Sequence, residues 1–253
     1  MAQLRENRVK RKLAGGEVAS VFLGNNTPDM IDLLGPLDFD GAWLEGEHRP
    51  VDFGDIPDLS RACDLWGMTS ITRVNLNLPG VIYRTLDTGA QGIVVPHVNT
   101  AEEARAVVDA AKFHPLGSRG MFTSRQGYGV ENYTGKANDE TLVIVLIEDI
   151  VAVNNLAEIL TVDNIDAFYV APGDLGQSMG HLGQYRHPEV LKTVDRAIEQ
   201  IIASGRVAGT LVADDTVGDY IAKGVRFVSL SWQGWLMSGA QAFLTQVAAA
   251  AKP

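Results

Sequence analysis

The chain has 253 residues, 46% hydrophobic and 21% charged, which suits a folded domain with a sizeable core. Its formal net charge of −10 and pI of about 4.9, with no basic cluster beyond the mixed stretch 5–12, argue against nucleic acid or an anionic membrane as a partner. One cysteine, Cys63, excludes an intrachain disulfide framework, and no apolar run nears the roughly 20 residues of a bilayer span.

Stretch 5–12 predicts a polar N-terminal helix without the apolar core of a signal peptide, so the expected location is the cytoplasm. VASVFLG (18–24) predicts the first strand, and TPDMIDLLGPL the helix after it, with Thr27 as N-cap and Pro28 at the first helical position. AWLEGE (42–47) is followed by DIPDLSRACDLWG, a helical pattern in which Cys63 reads as a buried structural thiol. TSITRV (69–74) precedes GVIYRTLDTG, and IVVPHV (93–98) precedes TAEEARAVVDAAKF, where Thr100 and Glu103 have capping-box spacing. A long irregular piece, 114–140, then suits a lid or a subunit contact.

Four more pairs complete the chain. LVIVLIE (142–148) leads into AVNNLAEIL, and AFYVAP (167–172) into HPEVLKTVDRAIEQIIASG. AGTLV (208–212) leads into TVGDYIAKG, and FVSLS (227–231) into WLMSGAQAFLTQVAAAAK. The strands are rich in β-branched and aromatic residues and alternate only weakly, as in a parallel sheet covered on both faces. Eight such units predict an α/β fold, either a (β/α)8 TIM barrel or a large doubly wound sheet. The even count and the length favour the barrel, as a single domain over 1–253.

In a barrel, chemistry sits at the C-terminal ends of the strands. The polar residues there are Glu45, Glu47 and His48; Arg73 and Asn75; His97; Glu148 and Asp149; Asp174; Asp214 and Asp215; and Ser231 and Gln233. A Schiff-base aldolase needs a strand-end lysine, but Lys10, Lys12, Lys112, Lys136, Lys192, Lys223 and Lys252 all fall on helices, loops or termini. VADDTVG after the seventh strand would repel a phosphate, and neither a GxGxxG nor a GxSxG motif is present. Glu148 and Asp174 end adjacent strands, so their carboxylates can share a divalent cation with waters and substrate oxygens. The alternative from spacing alone is that each acid caps a helix or pairs with an arginine.

WLEGEHRP, LDTGAQGIVVPHVNTAEEA, HPLGSRG, IEDIVAVNNL and APGDLGQSMG, in that order, resemble the HpcH/HpaI aldolase family over residues 18–245. The resemblance implies a class II aldolase that forms or cleaves 4-hydroxy-2-keto acids, among them 2-keto-3-deoxy sugar acids. The route is a metal-held enolate of pyruvate or hydroxypyruvate plus an aldehyde. It implies Glu148 and Asp174 as ligands of Mg²⁺, Mn²⁺ or Co²⁺, and Arg73 at the keto oxygen. The backbone around Pro172, Gly173 and Asp174 would receive the substrate carboxylate. His48 would act as acid and base with the acid Glu45 three residues before it, and Asp87 would reach a neighbouring subunit's site. The implied assembly is a homohexamer, a trimer of dimers exchanging the C-terminal helix. Alternatives are a related metal-enolate lyase, of oxaloacetate-decarboxylase or acyl-CoA ester type, or a non-catalytic keto-acid-binding barrel.

Three positions depart from the family pattern. Glu45 replaces the common aspartate, Leu146 replaces a glutamine beside the metal acid, and APGD replaces GPAD. Elsewhere, His97 reads as packing or interface, Arg119 as an anchor for the long loop, and Asp214 and Asp215 as caps of the following helix. Trp232 and Trp235 read as pocket wall or as packing for the last helix.

Overall fold

The weakly alternating apolar runs pair side by side because both of their faces are buried. They form β1 Ala19–Leu23, β2 Gly41–Glu45, β3 Thr69–Arg73, β4 Gly92–Val95, β5 Leu142–Ile147, β6 Ala167–Val170, β7 Ala208–Leu211 and β8 Phe227–Ser231. In this computed structural model, which describes residues 2–251, each strand pairs in parallel with the next and β8 pairs back onto β1. The result is a closed eight-stranded barrel. The strands end one to three residues earlier than several apolar runs do. Glu47, His97 and Glu148 therefore leave the sheet and belong to the loops above it, and Pro172 opens the helix that follows.

The helices are α1 Arg8–Ala14, α2 Pro28–Leu34, α3 Ile56–Leu65, α4 Pro79–Asp87, α5 Ala101–Ala111, α6 Tyr133–Glu140, α7 Ile150–Asn154, α8 Leu156–Ile159, α9 Pro172–Ser178, α10 Pro188–Ala203, α11 Val217–Lys223 and α12 Trp232–Ala250. Two of the expected caps form as read. Thr27 accepts from Met30 N–H, and Thr100 and Glu103 make a reciprocal capping box. Cys63 is buried in α3, and burial pushes its thiol above the ordinary range. Lys252 lies outside the described residues. No helix among the described residues is long and apolar enough to cross a membrane.

The core has two layers. Inside the barrel, Trp43, Leu146, Tyr169 and Phe227 pack together, with Val9 and Leu13 of α1 entering from below. Asn7 fixes that plug, donating to the carbonyls of Gln91 and Glu140 at 3.0 and 2.9 Å. Between strands and helices, a larger cluster joins β4–β6 to α4, α5 and α10. Helix α12 stands apart, because none of its residues is buried and Leu236, Met237, Phe243 and Leu244 are exposed. An apolar helix in water needs cover.

The long segment 114–140 contains a short 3-10 turn and α6. Its anchors are Asp87 to Arg119 at 2.6 Å, Asp64 to Arg125 at 2.6 Å and Gly89 O to Gln126 Nε2 at 2.9 Å. Those partners lie at the C-terminal ends of α3 and α4, below the barrel, so the segment is not tied down over this chain's own strand ends. Arg119 is an anchor, as the sequence suggested.

At the end of α5, Lys112 is buried and donates to the carbonyls of Asn138 and Thr141 at 2.8 and 2.6 Å. Burial, with Lys10 nearby, pushes its ammonium down to about 7. Between about pH 7 and the ordinary 10.5, the unfolded chain keeps a proton the folded chain has released. Stability therefore rises with pH across that window and the cost of the buried charge is complete below it. Denaturant unfolding at stepped pH should show a shallower rise between pH 7 and 10 in Lys112→Met than in wild type. Parallel slopes would show that the buried amine stays charged.

Candidate active site

The register of β2 against β3 sets Glu45 directly beside Arg73. Arg73 Nε donates to Glu45 Oε1 and Oε2 at 3.0 and 2.8 Å, and its Nη2 lies 2.8 Å from Oε2. Glu45 also accepts from Trp43 Nε1 at 3.1 Å and from the backbone N–H groups of Glu47 and His48 at 2.9 and 3.1 Å. Burial alone would raise the Glu45 carboxyl, but the Arg73 bonds and charge, with those amides, hold it below its ordinary value. Glycine is required between the two acids. A Cβ at Gly46 would sit 2.6 Å from the Arg73 carbonyl oxygen, which accepts the Gly46 N–H at 3.0 Å.

Arg73 also reaches Glu47, with Nη1 3.0 Å from Oε2. Glu47 Oε2 is buried without a well-directed hydrogen bond, and burial raises this carboxyl against the lowering charge of Arg73. His48 Nε2 lies 3.8 Å from the same oxygen, with the side chain 61% exposed. The partner of the His48 ring is therefore Glu47. From His48, Glu45 accepts only the backbone N–H, and its carboxylate is taken up in gripping Arg73.

Glu148 stands one residue beyond β5 and is almost fully buried. Its Oε1 accepts the His97 backbone N–H at 2.8 Å, while its Oε2 has no hydrogen-bond partner. Burial pushes its carboxyl up to about 7, opposed by His97 and reinforced by the negative charges of Asp174 and Glu47. Asp174 lies in the first turn of α9, just after Gly173, where an added Cβ would meet open space. Asp149 makes no capping bond at α7, but its Oδ2 lies 2.9 Å from His97 Nδ1. Leu146 points into the barrel interior, below these groups.

These donors fit a divalent cation. One buried carboxylate oxygen lacks a partner and two further acids add their charge to it, a cost that a hard cation with oxygen ligands removes.

The structure brings Glu45, His48, Arg73, Glu148, Pro172, Gly173 and Asp174 to one end of the barrel. It does not bring Asp87 there, because that residue ends α4 below the barrel and pairs with Arg119. The pairing of Glu47 with Arg73 has no local sequence signal, and His97, expected as packing or interface, touches the acids of the site. His97 takes a left-handed backbone, φ 53°, that aims its N–H at Glu148. Burial works to lower the His97 imidazole pKa, but Asp149 and the surrounding acids raise it overall. Asp214 does not cap α11; it accepts from Trp235 Nε1 at 3.0 Å, because Thr216 accepts the Ala213 N–H in that turn. Trp232 Nε1 donates to Asn26 at 3.0 Å and its ring fills the space beside Gly24.

Acids that fit a divalent cation and one fixed arginine, above a closed parallel barrel, define a metal-assisted enzyme site. Residues 19–240 match the HpcH/HpaI aldolase/citrate lyase family, and the chain belongs to it. It is 34% identical to a 2-keto-3-deoxy-L-rhamnonate aldolase of Escherichia coli, over 95% of this chain and 92% of that one. A solved HpcH/HpaI aldolase/citrate lyase family protein from Burkholderia cenocepacia superposes with TM-score 0.88 at 27% identity, covering 95% of this chain and 99% of that one. The citrate synthase SbnG superposes with TM-score 0.86 at 26% identity, covering 96% and 98%. The chain is accordingly a carbon–carbon lyase of the aldolase type.

The left-handed backbone at residue 97 yields a prediction. His97→Asn, which tolerates that conformation, should keep Mn²⁺ affinity within a few-fold. His97→Val should lose about 1–2 kcal/mol of stability and bind Mn²⁺ more weakly, because a β-branched residue turns the amide away from Glu148. Titration of both variants by Mn²⁺ electron paramagnetic resonance checks this. Equal affinities would remove the amide from the account.

Proposed function

We propose that the chain cleaves and forms the C3–C4 bond of 4-hydroxy-2-keto acids, 2-keto-3-deoxy sugar acids among them, exchanging them with pyruvate or hydroxypyruvate and a small aldehyde. The carrying observation is the buried, partnerless oxygen of Glu148 beside the fixed guanidinium of Arg73 and the acid Asp174. Glu148 and Asp174 hold the ion, Mg²⁺, Mn²⁺ or Co²⁺. When bound, it supplies a Lewis acid that polarises the keto carbonyl and stabilises the enolate charge.

The remaining work belongs to the chain. Arg73, gripped by Glu45 and Glu47, keeps N–H groups to spare and places a fixed positive charge where the keto oxygen becomes negative. The N–H groups at Gly173 and Asp174, in the first turn of α9, receive the substrate carboxylate beside Pro172. His48, close to Glu47, exchanges the proton between the aldehyde-derived hydroxyl and solvent. In the cleavage direction that hydroxyl loses its proton, the C3–C4 bond breaks, the aldehyde leaves, and C3 takes a proton to become the methyl or hydroxymethyl group.

The exposed apolar face of α12 supports assembly into a homohexamer, a trimer of dimers exchanging this helix. In that assembly Asp87 would reach a neighbouring subunit's site. The cytoplasm is the location in keeping with an acidic chain whose lone cysteine is free and buried.

Stripping with EDTA and restoring Mg²⁺, Mn²⁺ or Co²⁺ singly tests the reading, with pyruvate or hydroxypyruvate followed against an aldehyde panel. Wild type should form adduct only with metal, and Glu148→Ala should fall to background. Keto-acid loss without adduct would make the enzyme a decarboxylase, and adduct without metal would defeat the assignment. Arg73→Lys should lower kcat/KM by about 100-fold, since an ammonium cannot hold Glu45 and Glu47 and still face the substrate. Steady-state kinetics at fixed metal checks it. Light scattering should give a six-chain mass for the full chain and a smaller one after truncation before α12.

A further inference from the structure

We propose that His181 and His187, on the loop between α9 and α10, and Glu189, in the first turn of α10, form a second site for one transition-metal ion of the Zn²⁺ class. One ligand atom from each of the three side chains lies within 4.8 Å of the others. The His181 and His187 rings stack with centroids 3.8 Å apart and planes 16° apart, and His181 Nε2 is 3.0 Å from Glu189 Oε2. Modest rotamer changes bring such donors to coordination distance.

The backbone prepares the cluster. Gly180 and Gly183 take left-handed conformations, φ 85° and 72°. The loop is closed by His181 N–H to Gly176 O, Gln184 N–H to His181 O and His187 N–H to Gln184 O, at 2.8, 2.9 and 2.8 Å. Both histidines are thus held on a compact turn whose far end is the first residue before α10.

The donor chemistry separates this site from the acids above the barrel. Two imidazoles and one carboxylate, with a further position open to water, make the ligand set of Zn²⁺ and its borderline neighbours. The Glu148–Asp174 set offers only oxygen, which suits harder ions. An ion pair accounts for His181 with Glu189 but gives no role to the second ring. His187 Nδ1 does accept the Glu189 N–H, but at 3.3 Å, a long bond. An ion on Nε2 would require the ring proton on Nδ1 and would release that bond. Coordination of both His187 and Glu189 then replaces it, tying the loop to the first turn of α10. Because Gly176 of α9 accepts the His181 N–H, the same brace bears on the short helix that carries Asp174.

Equilibrium dialysis of the full-length protein against Zn²⁺, in a large excess of Mg²⁺ to fill the oxygen site, tests this. One Zn²⁺ per chain should resist Mg²⁺ and persist in Glu148→Gln. Its affinity should fall by at least about 10-fold in His181→Ala and in His187→Asn, the latter keeping a side chain able to cap α10. Circular dichroism of each variant separates ligand loss from unfolding. Absence of Mg²⁺-resistant zinc in wild type, zinc binding that survives either histidine substitution, or zinc that vanishes with Glu148→Gln would overturn the proposal.

Discussion

The carboxylate of Glu148 is sunk above β5 with one oxygen taken by the His97 amide and the other left without a donor. It is almost fully buried, and Asp174 and Glu47 add like charge to it. A buried anion in that setting either takes a proton or takes a cation. Nearly every local feature of the site follows from this choice. β5 must be apolar on both faces to bury the residue, residue 97 must adopt a left-handed backbone to feed it one N–H, and α9 must start close by to bring the second acid.

The neighbouring acid Glu45 shows the opposite solution. Its oxygens are filled by Arg73, Trp43 and two backbone amides, so it is stable as an anion without help. The contrast separates the two roles. A carboxylate whose hydrogen-bonding capacity is met from within the chain serves to orient Arg73, and one left incomplete is open to a ligand. Glu47 stands between these cases, near Arg73 and the His48 ring but with an oxygen lacking a well-directed bond. Arg73, held from two sides, cannot swing, and its charge is already in place when negative charge develops on substrate.

Much of this was legible in the chain. Strands buried on both faces announce themselves as unbroken apolar runs, and Thr27, Thr100 and Glu103 carry their capping function in their own side chains. The acids at strand ends could be placed on the correct face because eight units fix where the ends lie. What could not be read depends on three-dimensional pairing or backbone state. The bond of Glu45 to Arg73 needs the β2–β3 register, and nothing in PHVN signals that His97 turns left-handed. Asp214 reads as a cap because caps are local, whereas its partner Trp235 is twenty-one positions away, in the first turn of α12 beyond β8. The apolar sequence of α12 was visible, but what covers it lies beyond one chain.

The most direct measurement is a crystal structure with Mn²⁺, read by its anomalous signal. The account places one peak between Glu148 Oε2 and the carboxylate of Asp174, present in wild type and absent in Glu148→Ala. A wild-type crystal with no Mn²⁺ at Glu148 and Asp174, or with the Glu148 oxygen satisfied by a proton donor in its place, would contradict the claim that this acid is held buried and incomplete for a metal ion.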